Sequence, residues 1–505
     1  MFSKFRHTGE VATQDELLFT TPFGYMFPDA AHSASHLLPE SPETLTALRQ
    51  LGDAMASDVI AAPNDSDIPA MFTYLGQFID HDLTARTDRE SATSTLGRGE
   101  PVTPRDPDEV VAHLRNGRRP QFDLDSVFGD GPSLAQGSET ESDTLYTPDF
   151  HLHVFNPTAT RRDVPRGPSR GAVIADGRND ENPNISALHC AFLLLYNKIY
   201  DAQVAGTPAC KHIRARQLTR WAYQYVVVQD YLPTVCDQAI VIDTLVNGPR
   251  YYGNTAGHGQ NFMPLEFSTA AFRFGHTMIR PEYRLQTTEP TISVMDLLGP
   301  SRPDVNGDPI GTFFDTTDAV PHQLRDSAIL DFTLFAGTGP NVQMARKIDS
   351  NIARGLGMLP LGDRQGDPIL GHLAKSNLIR GYSLSVPTGQ ACCEAMGVKP
   401  MSRKDMADGE SADVAAVLTD TALGQRTPLW YYILREAGAQ AGGNHLGELG
   451  SRIVCETIVG SLKTDPNSYL NANDLAVTPL GINVGGAVIS TLTELLNHAG
   501  VGPVA

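Results

Sequence analysis

The chain has 505 residues, of which 41% are hydrophobic, and a formal net charge of −19. This length and composition suit a globular protein with a substantial core. The acidic excess argues against sequence-independent binding to nucleic acid or to an anionic membrane surface. We therefore expect neither of these partners.

The two ends of the chain and its cysteines exclude further classes. The basic N-terminus is not followed by an apolar run of about seven to fifteen residues, so it does not resemble a secretory signal. The uncharged run 476–493 is interrupted by Pro479, Asn483 and several glycines, which makes a membrane span unlikely to form. Six cysteines, with no C-x-x-C pair, do not suggest a disulfide framework. We expect no transmembrane segment and a location in the cytoplasm or outside the cell without a cleavable signal peptide, while the oligomeric state stays open.

The first helical pattern lies at 72–83, after a stretch that is rich in turns. Residues 1–65 carry scattered prolines, and we expect them to form an N-terminal arm packed on the following domain. In 72–83, apolar residues recur at steps of three and four, which predicts one buried helix face. Gln77, Asp80 and His81 share the opposite flank, so this helix directs an amide, a carboxylate and an imidazole away from the core.

The remaining chain alternates between irregular and helical patterns. Residues 95–171 are dense in Gly, Pro, Asp, Ser and Arg, with only short apolar groups such as 150–155, which predicts a long irregular excursion with one strand pair. Asn182 as N-cap and Pro183 at the first position predict a helix to about Val204. Further helices are predicted at about 212–231, 268–279, 412–418, 428–436 and 446–464. We therefore expect a mainly α fold: a single large helical domain at 66–505 with long irregular loops and little β structure.

Four segments, in this order, resemble one known family. They are 76–82 (GQFIDHD), 176–178 (DGR) with Glu181, 272–277 (FRFGHT) and 377–381 (NLIRG). Over roughly residues 70–390 the chain is similar to the animal-type haem peroxidases of the peroxidase–cyclooxygenase superfamily, and 447–454 resembles their bacterial members. The resemblance implies the family's helical haem-peroxidase fold and a bound haem b.

On one side of the haem, the resemblance implies three catalytic residues. A neutral imidazole near its own pKa can take the proton of a peroxide and return it to the departing oxygen, which is the role implied for His81. Arg178 would hold a fixed positive charge beside the O–O bond. Gln77 would position water or an anion.

On the other side, the resemblance implies that His276 is the axial ligand of the haem iron. Asn377 would accept the second N–H of that imidazole, and Arg380 would pair with a haem propionate. Arg273 stands three residues before His276, where the cyclooxygenases have a radical-forming tyrosine. This favours the peroxidase pattern.

Three carboxylates match further family positions. Asp80 and Glu181 match residues that esterify the haem methyls in mammalian peroxidases, so covalent haem is implied at both. Asp82 matches a calcium ligand, whose partners relatives supply from a loop just before the arginine segment. The corresponding residues 156–167 lack that ligand spacing and carry arginines, which disfavours calcium. Asp82 is then either a calcium ligand or a local cap or pairing group.

The resemblance leaves three functions open. The leading one is a haem peroxidase, in which hydrogen peroxide oxidises the iron to a ferryl state and phenols, halides or thiocyanate return the electrons. The first alternative is a haem enzyme of the fatty-acid dioxygenase or cyclooxygenase type. The second is a haem-binding adhesion protein without turnover.

Overall fold

Helices joined by long loops make up most of the structure. The computed structural model describes residues 21–56, 64–85, 102–133, 141–155, 162–168, 170–253, 262–298, 313, 323–359 and 371–502. The α-helices of these residues are Pro28–Ala31, Pro42–Met55, Met71–Leu83, Pro107–His113, Asp125–Phe128, Pro183–Asp201, Pro208–Val226, Leu232–Val235, Gln238–Asn247, Leu265–Thr269, Val294–Leu298, Leu373–Ser383, Gly389–Ala395, Arg403–Ala407, Ala412–Asp420, Leu429–Ala441, Glu448–Thr464 and Leu492–Ala499. The expected mainly α fold is confirmed.

The remaining regular elements are short. The 3₁₀ turns are Glu141–Leu145, Gly177–Asp180, Ala271–His276, Asp326–Ala328, Phe332–Leu334, Arg354–Gly357, Ala422–Gly424 and Tyr469–Asn471, and Val227–Tyr231 is a π turn. The strands are Thr21–Gly24, Asp65–Pro69, Arg115–Asn116, Met263–Pro264, Glu282–Tyr283, Ile292–Ser293, Met344–Arg346, Val477–Thr478, Gly481–Asn483 and Val488–Ile489. They pair into ribbons of two or three strands. The buried apolar side chains form one continuous cluster.

Capping residues explain where the predicted helices begin. The side chain of Asn182 accepts hydrogen bonds from the backbone N–H groups of Asn184 and Ile185, both at 3.1 Å, and Pro183 follows it. This pair starts the helix Pro183–Asp201, which ends three residues before the predicted limit. The predictions near 212, 412, 428 and 446 are likewise confirmed as helices, with boundaries shifted by a few residues.

The predicted arm contains a helix that sequence analysis missed. Ser41 Oγ accepts from the backbone N–H of Thr44, and Pro42 occupies the first position, so Ser41-Pro42 starts the helix Pro42–Met55. The prolines of 1–65 predict turns, whereas Pro42 begins a helix. The helix buries its apolar face and packs on the helix Leu373–Ser383. The arm boundary at 65 stays a prediction, and residues 1–20 lie outside the described part of the chain.

The described parts of 95–171 are mostly irregular, as predicted, apart from the short helices Pro107–His113 and Asp125–Phe128, but the predicted strand pair does not form among them. Isolated bridges join Tyr146 to Leu152 and Phe155 to Asp163, and the short strand Arg115–Asn116 pairs outside this segment, with Thr21–Gly24. A buried ion-pair network fixes the loop instead, because Arg166 contacts both Asp163 and Asp180 at 2.7 Å. Asp180 ends the 3₁₀ turn Gly177–Asp180, so the Arg166 contacts anchor the loop to the turn that carries Arg178.

The predicted continuous helix at 268–279 is also wrong. The α-helix Leu265–Thr269 stops at Ala270, whose φ and ψ are −132° and −72°, and the 3₁₀ turn Ala271–His276 follows. Arg273 Nε donates to the carbonyl oxygen of Ser268 at 2.8 Å, so a side chain takes an acceptor near the break. Ser268 therefore lies inside the first helix and is not the cap of a longer one. Across the described residues, no helix is both long enough and apolar enough to cross a bilayer.

Candidate functional site

The helix Met71–Leu83, here called the His81 helix, exposes one stripe and buries the rest. Gly76, Gln77 and Asp80 are partly exposed, while most of the helix packs in the core. His81 is only 6% exposed. Burial and then the charge of Arg178 lower the pKa of His81, so the imidazole is neutral at pH 7.

Asn179 holds the ring of His81 from behind. The Nδ1 atom of His81 lies 2.8 Å from the side-chain oxygen of Asn179. Because an amide oxygen only accepts, Nδ1 carries the proton and donates it. The other ring nitrogen, Nε2, is then left with its lone pair, which is the form that a general base requires.

Arg178 lies against the C-terminal end of the His81 helix. Its guanidinium donates to the carbonyl oxygens of His81 and Thr84, both at 2.8 Å, and to the carboxylate of Asp176 at 2.7 Å. Positive charge at a helix C-terminus is favourable because it offsets the macrodipole. These contacts fix a permanent positive charge beside His81.

His276 ends the 3₁₀ turn Ala271–His276, and the helix Leu373–Ser383 brings Asn377 to it. The side-chain nitrogen of Asn377 lies 2.7 Å from His276 Nδ1. The predicted pair therefore forms, but with the opposite polarity, because an amide nitrogen donates and makes Nδ1 the acceptor. Rotation of the amide by half a turn would present its oxygen instead. Burial, and then Arg273, lower the pKa of His276 to about 3, so it is neutral.

An ion pair joins the two histidine-bearing elements. Arg273 Nη1 lies 3.0 Å from Asp80 Oδ2, and Thr84 Oγ1 donates to the other oxygen of Asp80 at 3.1 Å. Burial alone would raise the pKa of Asp80, but Arg273, His81 and Arg178 together hold it below its usual value. Asp80 is therefore an ionised carboxylate that ties the His81 helix to the turn of His276.

Open space borders His276 and Arg380. A Cβ atom added at Gly275 or at Gly381 would meet no heavy atom within 4 Å. His276, Arg380 and both glycines are partly exposed although they lie among buried neighbours. A neutral imidazole, an arginine and two faces without side chains fit a flat, anionic iron porphyrin.

Gln77 and Glu181 contact each other at the edge of this region. Gln77 Nε2 donates to Glu181 Oε2 at 3.3 Å, and Glu181 is exposed. The structure thus brings Glu181, which comes from the segment of Arg178, to the partly exposed stripe of the His81 helix. Esterification of haem by Asp80 or Glu181 stays a prediction.

Asp82 faces away from this region and joins an acidic cluster. Carboxylate oxygens of Asp82, Asp123 and Asp125 lie within 4.8 Å of one another. Ser126 Oγ donates to Asp82 at 3.1 Å. Burial, and then Asp123, raise the pKa of Asp82 to about 7. The carboxylates beside Asp82 are therefore Asp123 and Asp125, and not residues of 156–167, the range that corresponds to the relatives' loop. Of that range, 156–161 lie outside the described residues.

The charges around the cluster suit a divalent cation. Arg118 is 2% exposed and contacts Asp125 at 3.2 Å as well as Asp176, which also binds Arg178. With Asp82 and Asp123 included, four carboxylates face two guanidinium groups, which leaves two negative charges uncompensated when all are ionised. Three carboxylates and a hydroxyl are hard oxygen ligands of the kind that calcium takes.

Sequence analysis missed several residues that support the site. Asn179 follows Arg178 directly, and its amide was a readable signal, whereas nothing in the sequence pointed to Trp430. The Trp430 ring meets His276 edge-on with centroids 6.4 Å apart, and its Nε1 donates to the carbonyl oxygen of Arg273 at 3.1 Å. The spacing of Asp123, Asp125 and Ser126 could have suggested oxygen ligands.

Comparison with known proteins points to one family. The family model described as animal haem peroxidase matches residues 132–313, which include Arg178 and His276. Residues 132–313 therefore match an animal haem peroxidase domain, and the chain is similar to peroxidases of that family. The thyroid peroxidase of Canis lupus familiaris is 26% identical over 196 residues, which are 34% of this chain and 20% of that protein. The eosinophil peroxidase of Mus musculus is 30% identical over 113 residues, which are 22% of this chain and 15% of that protein.

Solved structures confirm the haem-peroxidase fold. Peroxidase A from Dictyostelium discoideum superposes with a TM-score of 0.60 at 15% identity, covering 99% of this chain and 98% of that one. The fatty acid alpha-dioxygenase of Arabidopsis thaliana gives 0.54 at 13% identity, with 90% and 73% covered. The fold is thus common to peroxidases and dioxygenases. The chain spans about a fifth of the length of the thyroid peroxidases that it matches.

Proposed function

We propose that this protein is a member of the animal haem peroxidase family and uses hydrogen peroxide to oxidise small electron donors. One observation carries the proposal. Two neutral imidazoles, His81 and His276, are each held at Nδ1 by an asparagine, and the elements that bear them are joined by the Asp80–Arg273 ion pair. This arrangement fits the two histidine roles that the resemblance to the family implies.

The residues of the His276 side would hold haem b. His276 would ligate the iron through Nε2, which requires the Asn377 amide to turn its oxygen toward Nδ1. Arg380 would pair with a propionate, and Gly275 and Gly381 leave room for the porphyrin. When bound, haem supplies an iron centre that peroxide oxidises and that small donors reduce again.

The residues of the His81 side move the protons. The lone pair on His81 Nε2 would take the proton from the peroxide oxygen that approaches the iron and return it to the oxygen that leaves. Arg178 would stabilise the negative charge that develops as the O–O bond breaks. Gln77 would orient peroxide or water by hydrogen bonding. The Nδ1–H bond to Asn179 leaves the required nitrogen free for this role.

Three finer assignments extend this proposal. The donors are phenols, halides or thiocyanate. Asp80 and Glu181 are the candidates for ester bonds to the haem. The ion pair between Asp80 and Arg273 must break before Asp80 forms such a bond. Calcium is proposed at Asp82, Asp123 and Asp125.

Reconstitution tests the function directly. The chain is loaded with haemin, its Soret band is recorded, and oxidation of guaiacol and iodide by peroxide is followed. Peroxide-dependent oxidation of either donor supports the proposal. Haem binding without turnover would favour the adhesion protein, and oxygen uptake with an unsaturated fatty acid would favour the dioxygenase. Haem that extracts fully into acid acetone would exclude the esters.

A further inference from the structure

Behind His81 lies a second histidine that the proposed reaction does not use. His189 comes from the helix Pro183–Asp201, and its Nδ1 lies 3.0 Å from the side-chain nitrogen of Asn179. The oxygen of the same amide lies 2.8 Å from Nδ1 of His81. The three side chains therefore form a line of hydrogen bonds, His189 to Asn179 to His81.

We propose that Asn179 and His189 are positioning residues that fix which ring nitrogen of His81 carries the proton. This inference rests on the proposed peroxidase function and deepens it. Neither residue is assigned a role by the four segments that resemble the family.

The polarity of the line follows from its middle member. An amide has one accepting end and one donating end, so whichever end faces His81 decides whether Nδ1 of His81 donates or accepts. In the structure, the oxygen faces His81 and the nitrogen faces His189. His81 then carries its proton on Nδ1 and presents a lone pair at Nε2. The reversed amide would put the proton on Nε2 and leave no base there.

His189 accepts from the amide of Asn179 in the orientation that the structure shows. A neutral imidazole that accepts at Nδ1 must carry its proton at Nε2, and burial favours the neutral ring by lowering the pKa of His189 to about 4. His189 Nε2 is buried and has no hydrogen-bond partner in the described part of the chain. Nδ1 of His189 is therefore the atom through which this ring orients the amide of Asn179.

Water cannot replace either residue. Asn179 and His189 are both 0% exposed, and the ring of His189 packs edge-on against Phe78 with centroids 6.4 Å apart. The backbone N–H of Asn179 also donates to the carbonyl oxygen of Asp176 at 3.0 Å, so its main chain is fixed. Loss of the His189 contact leaves the amide free to rotate without a solvent partner.

The tautomer of His81 is the direct readout. The full chain is loaded with zinc protoporphyrin, which is diamagnetic and does not turn over, and the ¹⁵N signals of the imidazoles are assigned. We expect protonated Nδ1 and unprotonated Nε2 in His81, and the reverse in His189. His81 protonated at Nε2 in the parent chain would overturn the inference.

Two variants of His189 separate positioning from packing. In His189→Phe we expect mixed tautomers of His81 and a reaction of the haemin form with peroxide that is slower by about tenfold or more, with the Soret band unchanged. His189→Asn restores an acceptor near the position of Nδ1, so we expect both properties to return toward those of the parent. An unchanged tautomer and rate in His189→Phe would overturn the inference.

Asn179→Asp gives a test that does not depend on the His189 variants. A carboxylate accepts at both ends, so His81 should keep its Nδ1 proton while His189 moves its proton to Nδ1. No change at His189 would contradict the proposed line. His212→Phe is the matched control, because His212 is 2% exposed and bonds to Tyr196, and it should leave His81 unchanged.

The tautomer measurement also distinguishes two failures. If His81 shows the expected tautomer but the haemin form does not react with peroxide, the positioning role of Asn179 and His189 is supported and the peroxidase function is contradicted. If the haemin form reacts rapidly while His81 is protonated at Nε2, the peroxidase function is supported and the positioning role of Asn179 and His189 is contradicted.

Discussion

The two histidine–asparagine pairs of this protein have the same chemistry but opposite polarity. Asn179 presents its oxygen to Nδ1 of His81, whereas Asn377 presents its nitrogen to Nδ1 of His276. The first arrangement leaves a lone pair at Nε2 of His81. The second leaves a proton at Nε2 of His276, which is the nitrogen that would ligate iron.

Their surroundings explain the difference. The His81 pair is buried and is backed by His189, so its polarity is set by the protein alone. The His276 pair borders open space at Gly275 and Gly381. We therefore expect Nδ1 of His81 to carry its proton because of Asn179 and His189, and Nδ1 of His276 to donate to Asn377 when Nε2 ligates iron. Each prediction below tests one side of this comparison.

The largest effect is expected at the His276 pair. His276→Ala removes the imidazole that would ligate iron, so the five-coordinate histidine-ligated haem spectrum should be absent after reconstitution with haemin. The absorption and electron paramagnetic resonance spectra measure this. His81→Ala is the control and should keep the ligated spectrum; retention of histidine ligation in His276→Ala would show that another residue binds iron.

The next largest effect is expected at His81. His81→Ala should keep haem but slow the reaction with peroxide by about 10²–10⁴-fold, since general acid–base catalysis contributes that much. Stopped-flow spectra of the ferric protein mixed with peroxide give the rate. A variant as fast as the parent would show that His81 is not the proton carrier.

Acid should lower the free energy of unfolding, because the folded chain keeps His189 neutral. Burial lowers the pKa of His189 from 6.5 to about 4. Between pH 6.5 and 4, His189 is therefore protonated in the unfolded chain and neutral in the folded chain. Stability is therefore lost as the pH falls from 6.5 to 4, by at most about 3 kcal/mol. Urea unfolding of the parent and of His189→Asn at several pH values checks this, and equal acid sensitivity of the two would contradict it.

Replacing Asn377 should have a smaller effect than replacing either histidine, and the effect should be on haem affinity. Asn377→Leu removes the polar partner of His276, and loss of such a partner typically weakens metal binding by about 10–100-fold. Asn377→Asp should retain affinity, because a carboxylate accepts from Nδ1 in either orientation. Transfer of haem to an acceptor protein gives the dissociation rate; equal rates for parent and Asn377→Leu would mean that the amide does not turn toward its accepting form.

The smallest effect is expected from the calcium proposed at Asp82, which lies in the His81 helix. At a calcium concentration tenfold above its Kd, binding should stabilise the fold by about 1.4 kcal/mol. Thermal unfolding with calcium and with a chelator measures the difference, and Asp125→Asn should reduce it. Equal midpoints in the parent under both conditions would leave the acidic cluster without a cation.

Local sequence patterns were enough to place most helices. Asn182-Pro183 favours a helix start before a helical apolar pattern, because an amide cap and a proline without N–H satisfy the first turn locally. The same reasoning applies to Ser41-Pro42, although prolines also mark turns and the sequence therefore predicts no helix there. The helix expected at 268–279 failed because its break depends on the bond between Arg273 and the Ser268 carbonyl, a choice that local propensity does not encode.

Sequence by itself determined the residue types of the site and their order: His81, Arg178, His276 and Asn377 could be named because each lies in a short segment with a recognisable pattern. Tertiary structure alone decided which atoms of these residues meet, that Asp80 pairs with Arg273, and that Asp123 and Asp125 reach Asp82. The reason is physical. Identity and helical register are local properties of a chain, whereas hydrogen-bond polarity and charge pairing depend on distances between segments far apart in sequence.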